Sequence, residues 1–536
     1  MERNLGIFPV CLLVLSAAAP AARAASCESL LHTPLKNTTI TLAQIVPAGE
    51  FTVPSADSRT LAAFKTLPAF CRVAGVIKPS DDSHIEFEVW MPVAGWNGKF
   101  EGVDNGGFAG YIHYGLDNGL AAALLRGYAS ASTDTGHTAA TPVDAGWALG
   151  HPEKIVDFGY RAVHLTAQNA KALIQAFYGQ SPRRSYFVGC SNGGRQALME
   201  AQRYPADYDG IISGAPANFW THLLGPWNTL ATLSDPASYI PASKLPAIEK
   251  AALAACDAAD GLSDNLIDNP AQCRFDPARL LCTGAETNDC LTSPQLAALK
   301  KIYAGATDSS GRQIFPGYPP GGETGPGGWG LWITGPAPEK SLDYAFSTQF
   351  FSNMVFNDPK WDFRTFNYDR DVQRTDEKLA PVLNATNPNL LPFKRRGGKL
   401  ILYHGWSDAA ISPFSTVNYY KSIIAAMGQP DANSFVRLFM VPGMQHCGGG
   451  PGGDLYVQPG PGHNPEQDID AALNRWVEQG IAPQKIVAYK RANAENPTGV
   501  VKTRLVCPFP QVARYDGHGN ADAAASFSCA LQLLAR

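Results

Sequence analysis

Seven short, β-rich apolar runs recur along this 536-residue chain, and they constrain its fold more than any other feature. They read HIEFEVWMP, GKFEGVDNGG, GYASASTD, SYFVGCS, YDGIISGAPA, KLILYHGWSD and VRLFMVPGM. Between them lie amphipathic stretches with helical spacing, among them DFGYRAVHLTAQNAKALIQAFYG and DIDAALNRWVEQG. Strand-length runs alternating with one-sided helical stripes predict a mostly parallel sheet covered by helices on both faces. The fold class is therefore α/β.

The alternation breaks once. From Phe219 to Lys394 the chain carries four cysteines, an Asp-rich turn, the Gly/Pro-rich FPGYPPGGETGPGGWG and the aromatic-rich FSTQFFSNMVFNDPKWDFRTFNYD. So long a segment with its own cysteines exceeds a simple crossover, and residues 219–394 are expected to form an inserted lid domain. The core would then be assembled from residues 25–218 and 395–536.

The first residues, MERNLGIFPVCLLVLSAAAPAARAAS, have a short charged start, an apolar stretch and Ala-Arg-Ala. This is the form of a secretory signal peptide over residues 1–24, cut near Ala24 or Ala25. No later segment holds ~18 consecutive apolar residues, so no membrane span is expected. A net charge of −4, with 17% charged residues, gives no basic footprint for nucleic acid. Loss of the signal would take Cys11 with it and leave ten cysteines, an even count that favours disulfides in a secreted or periplasmic protein. Local spacing suggests Cys27 with Cys71, Cys256 with Cys273, Cys282 with Cys290 and Cys507 with Cys529. Cys190 and Cys447 remain, and the sequence alone leaves the connectivity open. Asn37 and Asn384 each begin an Asn-x-Thr sequon.

Chemistry enters at SYFVGCSNGGR, where Ser191 stands between a strand-like run and a helix opening. Gly189, Gly193 and Gly194 permit the strained turn of a nucleophile elbow, and a helix N-terminus behind the serine favours developing negative charge. A serine nucleophile needs a base, and the base needs an orienting acid. In an α/β-hydrolase these follow in the order Ser, Asp or Glu, His, on loops after later strands. Asp408 follows KLILYHGWS and His446 follows VRLFMVPGMQ, in that order. His404 and His463 are rival bases, but neither directly follows a strand-like run in the right order. Two backbone N–H donors would hold the oxyanion: Asn192, after the nucleophile, and Gly107, with Gly106 as its neighbour, in GVDNGGFAG.

GCSNGG, YHGWSDAAIS and VPGMQHCGGGPG together resemble the tannase and feruloyl esterase family, whose mark is a Cys-Ser, Asp, His-Cys constellation. The likeness extends over MPVAGWNGKFEGVDNGGFAG, VFNDPKWDFRTFNYDRDV and the last cysteine pair, nearly the whole mature chain. It implies an α/β-hydrolase fold with a lid, hydrolysis of aromatic carboxylic esters, and a disulfide joining Cys190 to Cys447. It also implies a structural Ca²⁺ in CDAADGLSDNLIDNPAQC, held by Asp257, Asp260 and Asp264 with the carbonyls of Leu262 and Leu266. Hard oxygen donors in a short loop suit that ion, although the spacing is not that of an EF-hand.

The aromatic stretch Phe346–Phe356, with Trp329, Trp332 and Trp361, is a candidate slot for a planar acyl group. Hydroxycinnamates lead the substrate expectation, with gallates next. Family members acting on the mono-ester of terephthalate hold its free carboxylate with a lid arginine, whereas APEKSLDYAFSTQFF offers only Lys340. A peptidase or amidase would use the same triad. A non-catalytic hydrolase-fold binding protein would be expected to have lost one of its members.

Overall fold

The computed structural model describes residues 25–53, 58–116, 118–456, 464–492 and 499–531. The signal segment and the rival base His463 lie outside the described residues.

Nine strands form one sheet. They are β1 (Thr38–Val46), β2 (Phe70–Ile77), β3 (Ile85–Pro92), β4 (Lys99–Val103), β5 (Ala129–Thr133), β6 (Arg184–Cys190), β7 (Gly210–Gly214), β8 (Lys399–Gly405) and β9 (Val436–Val441). Their spatial order is β1-β2-β3-β5-β4-β6-β7-β8-β9. The β1–β2, β2–β3 and β3–β5 pairs are antiparallel, and every pair from β5 to β9 is parallel. β1 and β2 were not among the seven runs. β1 is a half-exposed edge strand whose polar residues interrupt the apolar signal.

The central strands read as near-continuous apolar runs because both of their faces are covered. Phe187, Ile211 and Leu400 enter one core cluster with Leu198 and Leu173, while Tyr186, Val188, Ile212 and Ile401 enter another with Trp476. Helices α1 (Ala162–Tyr178) and α2 (Asn192–Arg203) cover the first face, and α3 (Ile469–Gln479) covers the second. α1 ends where Gly179 takes φ 71°, a left-handed cap that costs glycine little.

Between β7 and β8 the chain leaves the sheet for a largely helical excursion. Part of it has its own small core around Ile248, Leu299 and Trp329. The rest packs on the sheet domain, where Trp220, Phe350 and Phe351 meet Phe108 and Phe158. Ala385, Leu390 and Phe393 already belong to the sheet-domain core. After α3, two antiparallel ribbons close the described chain: Ile486–Arg491 with Val500–Val506, and Gln511–Tyr515 with Phe527–Leu531. Five disulfides form: Cys27–Cys71, Cys190–Cys447, Cys256–Cys273, Cys282–Cys290 and Cys507–Cys529. No described helix is long and apolar enough to cross a membrane.

Candidate active site

Ser191 sits at the sharp corner between β6 and α2, with φ 64° and ψ −124°. A non-glycine residue is held there only when its surroundings over-determine it. The surroundings are tight. The Ser191 N–H donates to Gly214 O at 3.0 Å, and the Cys190 N–H donates to Asp104 Oδ2 at 2.7 Å. A Cβ on Gly193 would lie 1.8 Å from Asp104 Oδ2, and one on Gly194 would lie 2.2 Å from Gly214 O. The glycines therefore let α2 close onto Asp104 and β7.

The residue after the serine is fixed as firmly. Asn192 Nδ2 donates to Asn105 O at 3.2 Å, while its Oδ1 accepts from Arg195 Nε at 3.0 Å and Nη2 at 2.7 Å. Arg195 is fully buried between the rings of Phe158 and Trp220 and donates to Gly159 O and Phe158 O. Burial pulls its guanidinium down to about 9, with Arg203 adding to the effect. This network ties the start of α2 to the loop that carries Gly106 and Gly107. Gly107 takes φ 57°, and a Cβ there would lie 2.3 Å from Pro142 O. Its neighbour Gly106 donates its N–H to the Tyr111 hydroxyl at 2.9 Å.

Asp408 is buried in the loop after β8, and His446 is half-buried in the loop after β9. His446 Nδ1 lies 2.8 Å from Asp408 Oδ2, and the other carboxylate oxygen accepts the N–H groups of Ala410 at 2.8 Å and Ile411 at 2.9 Å. Burial alone would raise the Asp408 carboxyl. The charge of His446 and hydrogen bonds from His404 and His446 outweigh it and hold the group well below the usual carboxylate range. His404 is fully buried, with Nε2 3.0 Å from Asp408 Oδ2 and Nδ1 2.7 Å from Thr416 Oγ1. It is a second partner of the aspartate, out of reach of the cavity.

Ser191, Asn192, Gly107 and His446 line one cavity of about 960 Å³. Ser191 and His446 share no direct hydrogen bond in the described structure, a contact that commonly tightens only with substrate. Behind them the Cys190–Cys447 disulfide, with Cα atoms 6.0 Å apart, links the serine's corner to the histidine's loop. The insertion supplies the opposite wall. Trp332 packs edge-on to the His446 ring at 5.2 Å, and Phe346 stacks beyond it at 6.1 Å. Trp329, Phe350, Phe351 and Trp361 are instead packed among other side chains, and Lys340 is exposed outside the cavity. Trp220, Trp227, Tyr318 and Tyr368 take their places in the lining. No sequence signal marked these four, since an aromatic in an irregular helical segment reads alike in core or cavity.

The Asp-rich turn folds as a short 3₁₀ segment, Asp257–Asp260, stapled by Cys256–Cys273. Asp257 accepts the N–H groups of Asp264 at 3.2 Å and Asn265 at 3.0 Å, and Asp260 accepts that of Leu262 at 3.0 Å. Sequence reasoning omitted Asp268, whose buried Oδ1 has no partner among the described residues. Burial and the crowding of like charges raise Asp260 to about 6. Burial, opposed by Arg504 and reinforced by the same crowding, raises Asp268 to about 7. Arg504 and Lys502 reach Asp264 from the C-terminal ribbon. The turn is thus an acidic cluster of hard oxygen donors, partly offset by Arg504 and Lys502 at Asp264, with Asp268 Oδ1 unpartnered among the described residues.

A mostly parallel sheet, a serine at a strained strand-to-helix corner and an Asp–His pair on the loops after β8 and β9 define an α/β-hydrolase. A family model described as tannase and feruloyl esterase matches residues 71–530. An uncharacterized esterase of Xanthomonas campestris pv. campestris is 45% identical, covering 95% of this chain and 92% of its own. The mono(2-hydroxyethyl) terephthalate hydrolase of Piscinibacter sakaiensis is 35% identical, covering 87% and 85%. The crystal structure of feruloyl esterase B from Aspergillus oryzae superimposes with a TM-score of 0.83 at 29% identity, covering 94% and 99%. The chain belongs to the tannase and feruloyl esterase family and is a carboxylic ester hydrolase.

Proposed function

We propose that the protein is an exported serine esterase of the feruloyl type, hydrolysing esters of hydroxycinnamic acids through an acyl-enzyme. Ser191 Oγ attacks the ester carbonyl as His446 Nε2 takes its proton, and Asp408 holds the imidazole and offsets its charge. The N–H groups of Asn192 and Gly107 receive the oxyanion, at roughly 3 kcal/mol for each donor removed. The protonated His446 then gives its proton to the departing alcohol. Water, activated by the same nitrogen, releases the acid.

The observation that carries this reading is the shared cavity. Ser191 and His446 open onto one space whose far wall is aromatic and comes from the insertion. The described residues lining it include no arginine and a single lysine, Lys301, which is exposed. That favours a neutral aromatic acyl group over a terephthalate half-ester. Five disulfides support an extracytoplasmic setting. Asp257, Asp260 and Asp264, with the carbonyls of Leu262 and Leu266, would hold Ca²⁺ as a structural clamp on the insertion. Purified protein should turn over methyl ferulate faster than methyl gallate, mono(2-hydroxyethyl) terephthalate or an aryl amide, and Ser191→Ala should abolish turnover. Full activity in that variant, or no ester turned over, would overturn the reading.

A further inference from the structure

Two carboxylates line the cavity among the described residues: Asp104, which accepts the Cys190 N–H and braces the serine's corner, and Asp343, which neither the hydrolysis nor that corner uses. Asp343 stands in the first turn of the insertion helix α4 (Leu342–Gln349), behind its N-cap Ser341, and faces the cavity that Ser191 and His446 line. Its Oδ2 accepts Asn228 Nδ2 at 2.7 Å. Its Oδ1 receives no hydrogen bond from the described residues, and the residue is half-buried in the cavity lining. Tyr318, beside them in the lining, spends its hydroxyl on Ala410 O at 3.2 Å, in the loop that carries Asp408. The neighbouring wall is apolar, with Trp227, Phe346 and Ile302. A carboxyl with one protein partner beside apolar side chains costs free energy unless a ligand or solvent completes its bonding.

We propose that Asp343, held by Asn228, is a specificity-determining residue that recognises a hydroxyl group on the aromatic ring of the acyl moiety. The proposal rests on the esterase reading above and names the ring chemistry of its substrate. Burial chiefly, with the charge of Asp408 adding and Asn228 opposing, pushes the Asp343 carboxyl up to about 8. In neutral solution it is therefore mostly a neutral acid, able both to donate to a phenol oxygen and to accept from a phenol hydrogen. A ring carboxylate would instead bring a second anion into the field of Asp408, with no arginine among the described lining residues to receive it. The wall thus selects by hydrogen bonding, which discriminates against an analogue lacking the hydroxyl more sharply than apolar contact discriminates by shape.

The test compares kcat/KM for methyl 4-hydroxycinnamate and methyl cinnamate, which differ by that one hydroxyl, with mono(2-hydroxyethyl) terephthalate as a third substrate. Wild type should favour the hydroxylated ester by about 10-fold or more, roughly the worth of one buried hydrogen bond. Asp343→Leu should collapse that preference to within about threefold, and Asp343→Asn, which keeps a polar group beside Asn228, should retain part of it. Melting temperatures of both variants establish that each is folded. A preference unchanged in a folded Asp343→Leu, equal losses on both cinnamates, or a terephthalate half-ester preferred by wild type would overturn the assignment of Asp343. Failure of wild type to hydrolyse any aromatic ester would instead overturn the parent reading, so the two failures are distinct.

Discussion

His404 Nε2 lies 3.0 Å from Asp408 Oδ2, the same oxygen that His446 Nδ1 approaches to 2.8 Å. With Thr416 at its other nitrogen, His404 satisfies both ring positions inside the protein and has no surface in the cavity. In the proposed mechanism it is a positioning residue, holding the carboxylate that orients the base. His404→Ala should lower kcat on methyl ferulate by ~10-fold while leaving KM within about twofold, the pattern of an interaction felt in the transition state. His404→Gln, which can still donate to Asp408, should recover part of the loss. Steady-state kinetics on the three proteins decide it.

The Cys190–Cys447 disulfide joins residues 257 apart in sequence. In the chain-entropy model it stabilises the fold by about 5 kcal/mol, but it also spans the interval between the nucleophile's corner and the base's loop. A shift of ~1 Å between reacting groups can cost ~100-fold in rate. The double variant Cys190→Ala/Cys447→Ala, assayed well below its melting temperature, should therefore lose turnover by that order while circular dichroism still reports a folded sheet. Full activity in the folded double variant would show that the bond serves stability alone.

Asp408 also predicts a pH dependence. Its carboxyl, ordinarily at 3.8, is held lower in the fold, so the unfolded chain binds the proton more readily. The resulting stability is fully present above the unfolded value and is lost as pH falls through the folded one. The melting-temperature gap between wild type and Asp408→Asn should stay level above about pH 5 and narrow progressively below 3.8. A gap that widens on acidification would contradict the sign.

Calcium provides a separate check. At a hundredfold excess over its dissociation constant, an ion that binds only the folded state adds about 2.7 kcal/mol. Ca²⁺ should raise the melting temperature of the wild type, EDTA should lower it, and Asp260→Asn should remove most of the difference between the two. Identical melting curves with Ca²⁺ and with EDTA would exclude the site.

Much of this was legible in the chain. The alternating runs announced the parallel half of the sheet because strands buried on both faces carry unbroken apolar signal. The strand-to-corner context of Ser191, and the order in which Asp408 and His446 follow it, needed only local sequence. What stayed hidden depends on distant contacts. Asp104 was read as part of a glycine loop, yet it anchors the Cys190 N–H across 86 positions. His404 looked like a competing base because sequence gives its distance from Asp408 but not the direction of its ring. The polar end of the cavity at Asp343 could not be read at all, because Asn228 and Asp343 meet only through the packing of the insertion.

The triad candidates and both oxyanion candidates stand on loops of the sheet domain, whereas Trp227, Trp332, Asp343 and Phe346 belong to the excursion between β7 and β8. On the proposed reading, chemistry and selectivity are encoded in separate stretches of the gene. Drift within the excursion can retune which acid is accepted while the hydrolytic apparatus stays under its own constraint. Grafting a relative's excursion between β7 and β8 is accordingly the most direct route to exchanging substrates.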